Sequence, residues 1–119
     1  MPWNTVRLEL AQCPEFPHGS VGRGYLVRVP LNNAGEIDKN TLEREPHKAS
    51  VRRFWSSDPD EVGHIVPVDG HFAFRCEGQP DRLIPIQSQL TLGNTVEIIC
   101  SKGKYMTFRI ADIRRLQTR

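Results

Sequence analysis

Several classes of protein are disfavoured by what this 119-residue sequence lacks. It has only three cysteines, Cys13, Cys76 and Cys100, and they are widely spaced without a CxxC pair, so neither a zinc site nor a disulfide framework is indicated. No apolar run approaches the ~18 residues of a membrane span. The start, Met1–Thr5, has neither the basic nor the apolar part of a signal peptide. We therefore expect a cytoplasmic protein without a membrane partner.

An excess of one charge is also missing. Sixteen basic residues stand against fourteen acidic ones, for a net charge of +2, so bulk electrostatics do not favour nucleic acid. The hydrophobic fraction of 38% and the charged fraction of 25% are ordinary for a soluble globular protein. The length predicts a single domain over residues 1–119.

What is present is β-structure, and the strongest signal is a hairpin in the last third of the chain. Two apolar-alternating runs flank Ser101-Lys102-Gly103. A three-residue loop with Gly103 left-handed pairs Ile98 with Met106 and Val96 with Phe108. This register gathers the apolar side chains on one face: Val96, Ile98, Cys100, Met106, Phe108 and Ile110.

A second hairpin surrounds Asp69-Gly70, a two-residue type I′ signal. It pairs Val68 with His71, Pro67 with Phe72 and His64 with Arg75. Pro67 then sits at a position that needs no hydrogen bond within this ladder. Its missing N–H faces the other way, which indicates that the strand is an edge there or that the sheet is interrupted.

Shorter alternating runs predict further strands at Thr5–Leu10, Gly24–Leu31, Ala49–Trp55 and Arg82–Ile86, the last broken by Pro85. Ser56–Glu61 has the composition of an acidic loop, and Glu36–Lys48 is polar, with at most a helical turn near Thr41–Arg44 before Pro46. About six to seven antiparallel strands predict an all-β fold, a small and partly open β-barrel, with a β-sandwich as the alternative.

The first candidate site is one face of the second hairpin. His64, His71 and Arg75 share that face, where imidazole and guanidinium groups suit an anion or a carboxylate. The two histidines lie about 13 Å apart along the strands, too far to hold one metal ion. The competing interpretation is a solvated outer face.

The second candidate site is a basic cluster beside aromatic residues: Lys48, Arg52, Arg53 and Trp55. Small barrels grip single-stranded nucleic acid with such groups. Strand alternation weakens this interpretation, because Arg53 and Trp55 share one face while Arg52 and Phe54 share the other. One of the two faces belongs to the core.

No catalytic signature is found. The glycines of Gly19–Gly24 match neither phosphate-loop pattern, the serines lack a nucleophile-elbow context, and Asp58, Asp60 and Glu61 lack the frame of a calcium loop. Cys76 and Cys100 end apolar strands, as structural thiols do, whereas Cys13 precedes Pro14 in a loop. The sequence predicts no catalytic residue, no cofactor and no metal.

Two segments, Gly24–Leu31 (GYLVRVPL) and Val51–Trp55 (VRRFW), resemble a group of small uncharacterised bacterial all-β domains. The resemblance implies the fold class. It implies no activity and no site residue.

Three functions remain open at this point. The first is a non-enzymatic binding or interaction module whose partner is another protein, contacted through strand edges or through Glu36–Lys48. The second is a single-stranded nucleic-acid binder using Lys48, Arg52, Arg53 and Trp55. The third is a small-molecule enzyme built around His64, His71 and Arg75.

Overall fold

A computed structural model describes residues 3–79, 82–99 and 103–116. One antiparallel sheet dominates it, and the only helix in these ranges other than a single 3₁₀ turn is α1, Lys39–Arg44. The strands are β1 (Trp3–Leu10), β2 (Ser20–Pro30), β3 (Ser50–Trp55), β4 (Asp58–Val68), β5 (His71–Cys76), β6 (Leu83–Ile86), β7 (Thr95–Ile99) and β8 (Tyr105–Arg115). The expected all-β class is confirmed, with eight described strands rather than six or seven.

The sheet curls into a nearly closed barrel. Its strand order is β6-β5-β4-β3-β2-β1-β8-β7, so each strand pairs with its sequence neighbours except at the seam between β6 and β7, and β1 pairs with β8. Cα atoms of β6 and β7 approach within 8 Å across the seam without forming a ladder. The partly open barrel is therefore correct, and the sandwich is not.

Pro85 marks the seam. It lies opposite Ala73 in the β5–β6 ladder, at a position whose nitrogen faces away from β5 and towards β7. Because β6 forms no ladder with β7, the missing N–H leaves no backbone group unpaired there. The segment that the sequence indicates as broken is thus a continuous strand at the open edge.

Both predicted hairpin registers are confirmed. In β4–β5, Val68 pairs with His71 and His64 with Arg75, and both Asp69 and Gly70 have positive φ, at 46° and 81°. Pairing of β4 with β3 stops at His64, so Pro67 lies where β4 has no described partner strand on that side.

In β7–β8, Ile98 pairs with Met106 and Val96 with Phe108, and Gly103 is left-handed at φ 77°. Val96, Ile98, Phe108 and Ile110 are buried and Met106 is half-buried. Cys100, Ser101 and Lys102, which complete the predicted face and loop, lie outside the described residues.

One end of the barrel is covered by the segment between β2 and β3. Asp38 caps α1 by accepting a hydrogen bond from the Thr41 amide at 3.2 Å, and a 3₁₀ turn follows at Pro46–Lys48. Leu42 is fully buried and belongs to the main core together with Ile37. The helical turn is confirmed, and the segment packs Ile37 and Leu42 on the barrel while most of its polar side chains remain exposed.

The acidic segment Ser56–Glu61 is shorter as a loop than expected. Only Ser56 and Ser57 form the turn, with Ser57 left-handed at φ 77°, and β4 already begins at Asp58. Glu61 consequently becomes a strand residue opposite Arg53, which places a carboxylate on the barrel-facing side of the sheet.

Candidate functional site

Strand alternation separates the predicted site residues into two groups. Arg53 and Trp55 follow buried Val51 on the barrel-facing side of β3, whereas Arg52 projects outward from the same strand. His64 and Arg75 are cross-strand partners on the outer surface. The predicted nucleic-acid cluster is therefore divided, while Arg52 joins His64 and Arg75.

A row of polar side chains crosses the outer surface. The ladders pair Thr5 with Arg28, Arg28 with Ser50, Ser50 with His64 and His64 with Arg75, which is one position on each of five neighbouring strands. At ~4.8 Å between strands the row is about 19 Å long. We call these five residues the outer row; it contains two arginines, a histidine, two hydroxyls and no acid.

Arg52 lies beside the outer row. A groove of about 440 Å³ runs between them and includes Arg28, Arg52 and His64 in its walls, with half-buried Leu26 and 40%-exposed Val62 as apolar parts. Glu77 is its one acidic residue. Two arginines beside apolar side chains suit an acidic ligand.

Three arginines of this surface have no ionic partner in the described part of the chain: Arg28 and Arg52 line the groove, and Arg75 lies at the end of the outer row, outside the groove lining. Among the described residues, Arg28, Arg52 and Arg75 form no ion pair and no side-chain hydrogen bond. By contrast, Glu9 accepts from Arg7 at 2.8 Å and lies 3.5 Å from Arg109 on the same outer surface. Three arginines without an ionic partner therefore lie close together on the outer surface, although Lys39 and Arg115, elsewhere among the described residues, also form no ion pair.

The other group of residues lies at the barrel end opposite α1. There, aromatic rings and guanidinium groups alternate. The Arg23 guanidinium lies 4.3 Å from the centre of the Phe16 ring and 5.7 Å from that of the Trp55 ring. The Arg53 guanidinium lies 4.4 Å from the centre of the same Trp55 ring. Arg53 also donates to Glu61 at 3.3 Å. Cation–π contacts of this kind hold a guanidinium in place while leaving its N–H groups free for other partners.

Two residues beneath these contacts have shifted pKa values. Burial raises the pKa of the Tyr25 phenol, although nearby Arg53 opposes the shift. Burial, reinforced by the Glu61 carboxylate, also raises the pKa of the Cys76 thiol. A thiol kept protonated is a poor nucleophile, so Cys76 is not activated for nucleophilic attack.

Lys48 and His71 lie apart from both groups. Lys48 pairs with Glu45 at 3.2 Å and stands 5.9 Å from the Trp3 ring, beside the covered end of the barrel. His71 is exposed at the β4–β5 turn and lines a separate depression with Gln87 and Asn94. His71 shares the outer face of the β4–β5 hairpin with His64 and Arg75, as predicted, but it stands at the other end of the ladder and lines a different depression.

Sequence reasoning missed Arg28, Ser50 and Thr5 at the outer row, and Arg23 and Phe16 at the barrel end. The first three required the order of non-consecutive strands. A sequence signal existed for Arg23, since Arg23, Tyr25, Val27 and Val29 occupy alternate positions of one strand. Arg23 keeps a buried Nε without a hydrogen-bond partner in the described part of the chain.

The fold and these two sites define a small antiparallel β-barrel with a cationic groove outside and a mixed polar end inside. Comparisons with protein-family models, with curated proteins and with solved structures find no match to this chain. Within residues 3–79, 82–99 and 103–116, no three His, Cys, Asp or Glu residues are grouped to hold a metal ion, and no helix is long and apolar enough to cross a membrane.

Proposed function

We propose that the protein is a non-enzymatic interaction module and that its outer groove binds an acidic segment of a partner protein. The observation that carries this proposal is the set of three arginines, Arg28, Arg52 and Arg75, without an ionic partner on one rigid sheet surface. Guanidinium groups bind carboxylates through two parallel hydrogen bonds, and Arg is enriched at protein interfaces where Lys is depleted.

The apolar floor of the groove supports a protein partner. Leu26 and Val62 flank Arg52 as its cross-strand partners, so a segment that carries both acidic and apolar side chains would match the charge and the apolar part of the groove. The outer surface offers little for nucleobases, because the Arg7 guanidinium covers the Phe54 ring at 4.5 Å. Base stacking on an aromatic side chain is the usual source of single-strand affinity.

The enzyme hypothesis is less well supported by the same groove. Ser50 and His64 are cross-strand neighbours, but the described residues include no hydrogen bond between the two side chains. A serine nucleophile is activated by such a bond, and the base is oriented by a third group. For this reason we propose binding rather than catalysis.

The test measures binding of two labelled probes, a polyglutamate peptide and oligothymidylate, by fluorescence anisotropy at low and at raised salt. Wild type should bind polyglutamate, with an affinity that falls as salt rises. Replacing Arg28, Arg52 and Arg75 by Gln should weaken binding by about tenfold for each arginine, which is ~1.4 kcal/mol each.

Arg82→Gln is the matched control, since it removes the same charge at the barrel end and should leave polyglutamate binding unchanged. Equal binding by the triple variant and wild type would disprove the assignment of the groove. If oligothymidylate binds more tightly than polyglutamate and this binding is lost in the triple variant, the ligand of the groove is single-stranded nucleic acid rather than a protein.

A further inference from the structure

The barrel end opposite α1 holds a further cavity, of about 280 Å³, which we call the mouth pocket. It lies between the first residues of β4 and β6 and the last residues of β3 and β5. Its charged lining residues are Arg53, Arg82, Asp58 and Glu61, and its apolar lining residues include Ile84 and Ile99. It shares no residue with the outer groove.

The charges of the mouth pocket are balanced but only partly satisfied by one another. Arg53 donates to Glu61 at 3.3 Å, which leaves other guanidinium N–H groups of Arg53 available. Arg82 donates only to the Gln79 amide oxygen, at 3.3 Å, and Asp58 has no ion pair among the described residues. One cation and one anion in the pocket therefore lack an ionic partner.

We propose that the mouth pocket binds a small zwitterion, an α-amino acid with an apolar side chain. Its carboxylate would meet Arg82 and the free N–H groups of Arg53, and its ammonium would meet Asp58 and Glu61. A ligand with a single charge would pair with only one of the two unpaired groups of the protein. Repulsion from the groups of like charge would then offset the favourable electrostatic energy of that pair. Ile84 and Ile99 supply the wall for the side chain.

The size of the pocket agrees with this class of ligand. A volume of about 280 Å³ lies just below the ~300–1,000 Å³ of drug-sized ligand sites, so the pocket suits a small ligand such as an amino acid. Mouths of β-barrels are also common places for small-molecule sites. The pocket floor is rigid, because Tyr25 packs its ring 5.3 Å from Phe74 and 5.2 Å from Phe108 in the core.

The chain contains a built-in reporter for the test. Of its two tryptophans, Trp55 contacts Arg53 at the mouth pocket, whereas Trp3 lies at the covered end. We would titrate ¹⁵N-labelled protein with L-leucine and follow both indole N–H signals. The Trp55 signal should shift to saturation at millimolar leucine while the Trp3 signal stays in place.

Two analogues separate the charge requirements. 4-Methylpentanoate keeps the side chain and carboxylate without the ammonium, and 3-methylbutylamine keeps the side chain and ammonium without the carboxylate. Both should bind at least about tenfold more weakly than leucine. Equal affinity of either analogue, or no saturable Trp55 shift with leucine, would overturn the proposal.

Variants assign the binding to the pocket. Arg82→Gln and Asp58→Asn, both at the rim, should each weaken leucine binding at least tenfold, with folding checked by an unchanged pattern of the remaining signals. Arg52→Gln, on the outer surface, is the matched control and should bind leucine as wild type does. Unchanged leucine affinity in both rim variants would refute the mouth-pocket proposal. It would leave the proposal for the outer groove untouched, because polyglutamate binding there does not depend on Arg82.

Discussion

The Arg53 guanidinium lies 4.4 Å from the centre of the Trp55 ring, on the barrel-facing side of β3, while adjacent Arg52 projects outward. Two consecutive arginines therefore have unlike surroundings, one against an aromatic ring and a carboxylate, the other in a solvated groove. This difference makes their contributions to stability and to binding separable by experiment.

The contact between Arg53 and Trp55 should be measurable as a coupling energy. In a double-mutant cycle with Arg53→Met and Trp55→Leu, we expect the two changes to couple by about 0.5–1 kcal/mol. The free energy of unfolding would be measured in urea by circular dichroism, because the fluorophore itself is changed. Strict additivity would show that the ring does not stabilise the guanidinium. The same cycle with Arg52→Met is the control and should show no coupling.

Burial of Tyr25 predicts a loss of stability at high pH. Its folded-state pKa lies above the ordinary value of 10.0, so the stabilisation is complete below pH ~10 and is lost as the pH rises through the folded-state pKa. Tyr105→Phe leaves Tyr25 as the single tyrosine. Phenolate absorbance of this variant should then give a midpoint above 10, and a midpoint at or below 10 would contradict the burial of Tyr25.

The cover formed by α1 should contribute strongly to stability. Leu42 is 0% exposed, so Leu42→Ala is expected to lower the free energy of unfolding by ~2–5 kcal/mol through lost burial and a residual cavity. Leu92→Ala is the matched control, because Leu92 is 61% exposed and should change stability by less than about 0.5 kcal/mol. Equal effects of the two substitutions would mean that the segment does not pack on the barrel.

Gly103 tests the C-terminal hairpin. At φ 77° a β-branched side chain is strained, although a Cβ there meets no atom within 4 Å. Gly103→Val should therefore cost about 1–2 kcal/mol of backbone strain, and Gly103→Asn, which tolerates left-handed conformations, clearly less. Thermal unfolding of both variants measures this, and identical melting temperatures would count against the left-handed turn.

Local chemistry explains why the two hairpins were predictable. Asp69-Gly70 and Gly103 are turn residues with few alternative conformations, and an apolar face selects one register over its neighbours. The pairing of His64 with Arg75 follows from the first turn alone. That part of the outer row was accessible from sequence because only one short loop separates its two residues.

The rest of the outer row was not accessible from sequence. Arg28 meets Ser50 across a connection that includes α1, and Thr5 meets Arg28 across a loop containing two prolines, so no local turn defines either register. Ion pairing also depends on distant strands: Glu97 lies diagonal to Arg109 in the β7–β8 ladder, yet Arg109 approaches Glu9 of β1. Such choices depend on which strands become neighbours when the sheet closes.

The pairing of β1 with β8 has a consequence for how the molecule forms. Leu8 lies opposite Ile110 and Leu10 opposite Phe108, so buried residues of the first strand remain exposed until the last strand is available. Contacts this distant in sequence close slowly, because a long stretch of chain must be ordered first. During synthesis, the meander from β1 to β6 would be finished before β8 could cover the free edge of β1. Until then the edge of β1 stays unpaired, and an unpaired strand edge can associate with another chain.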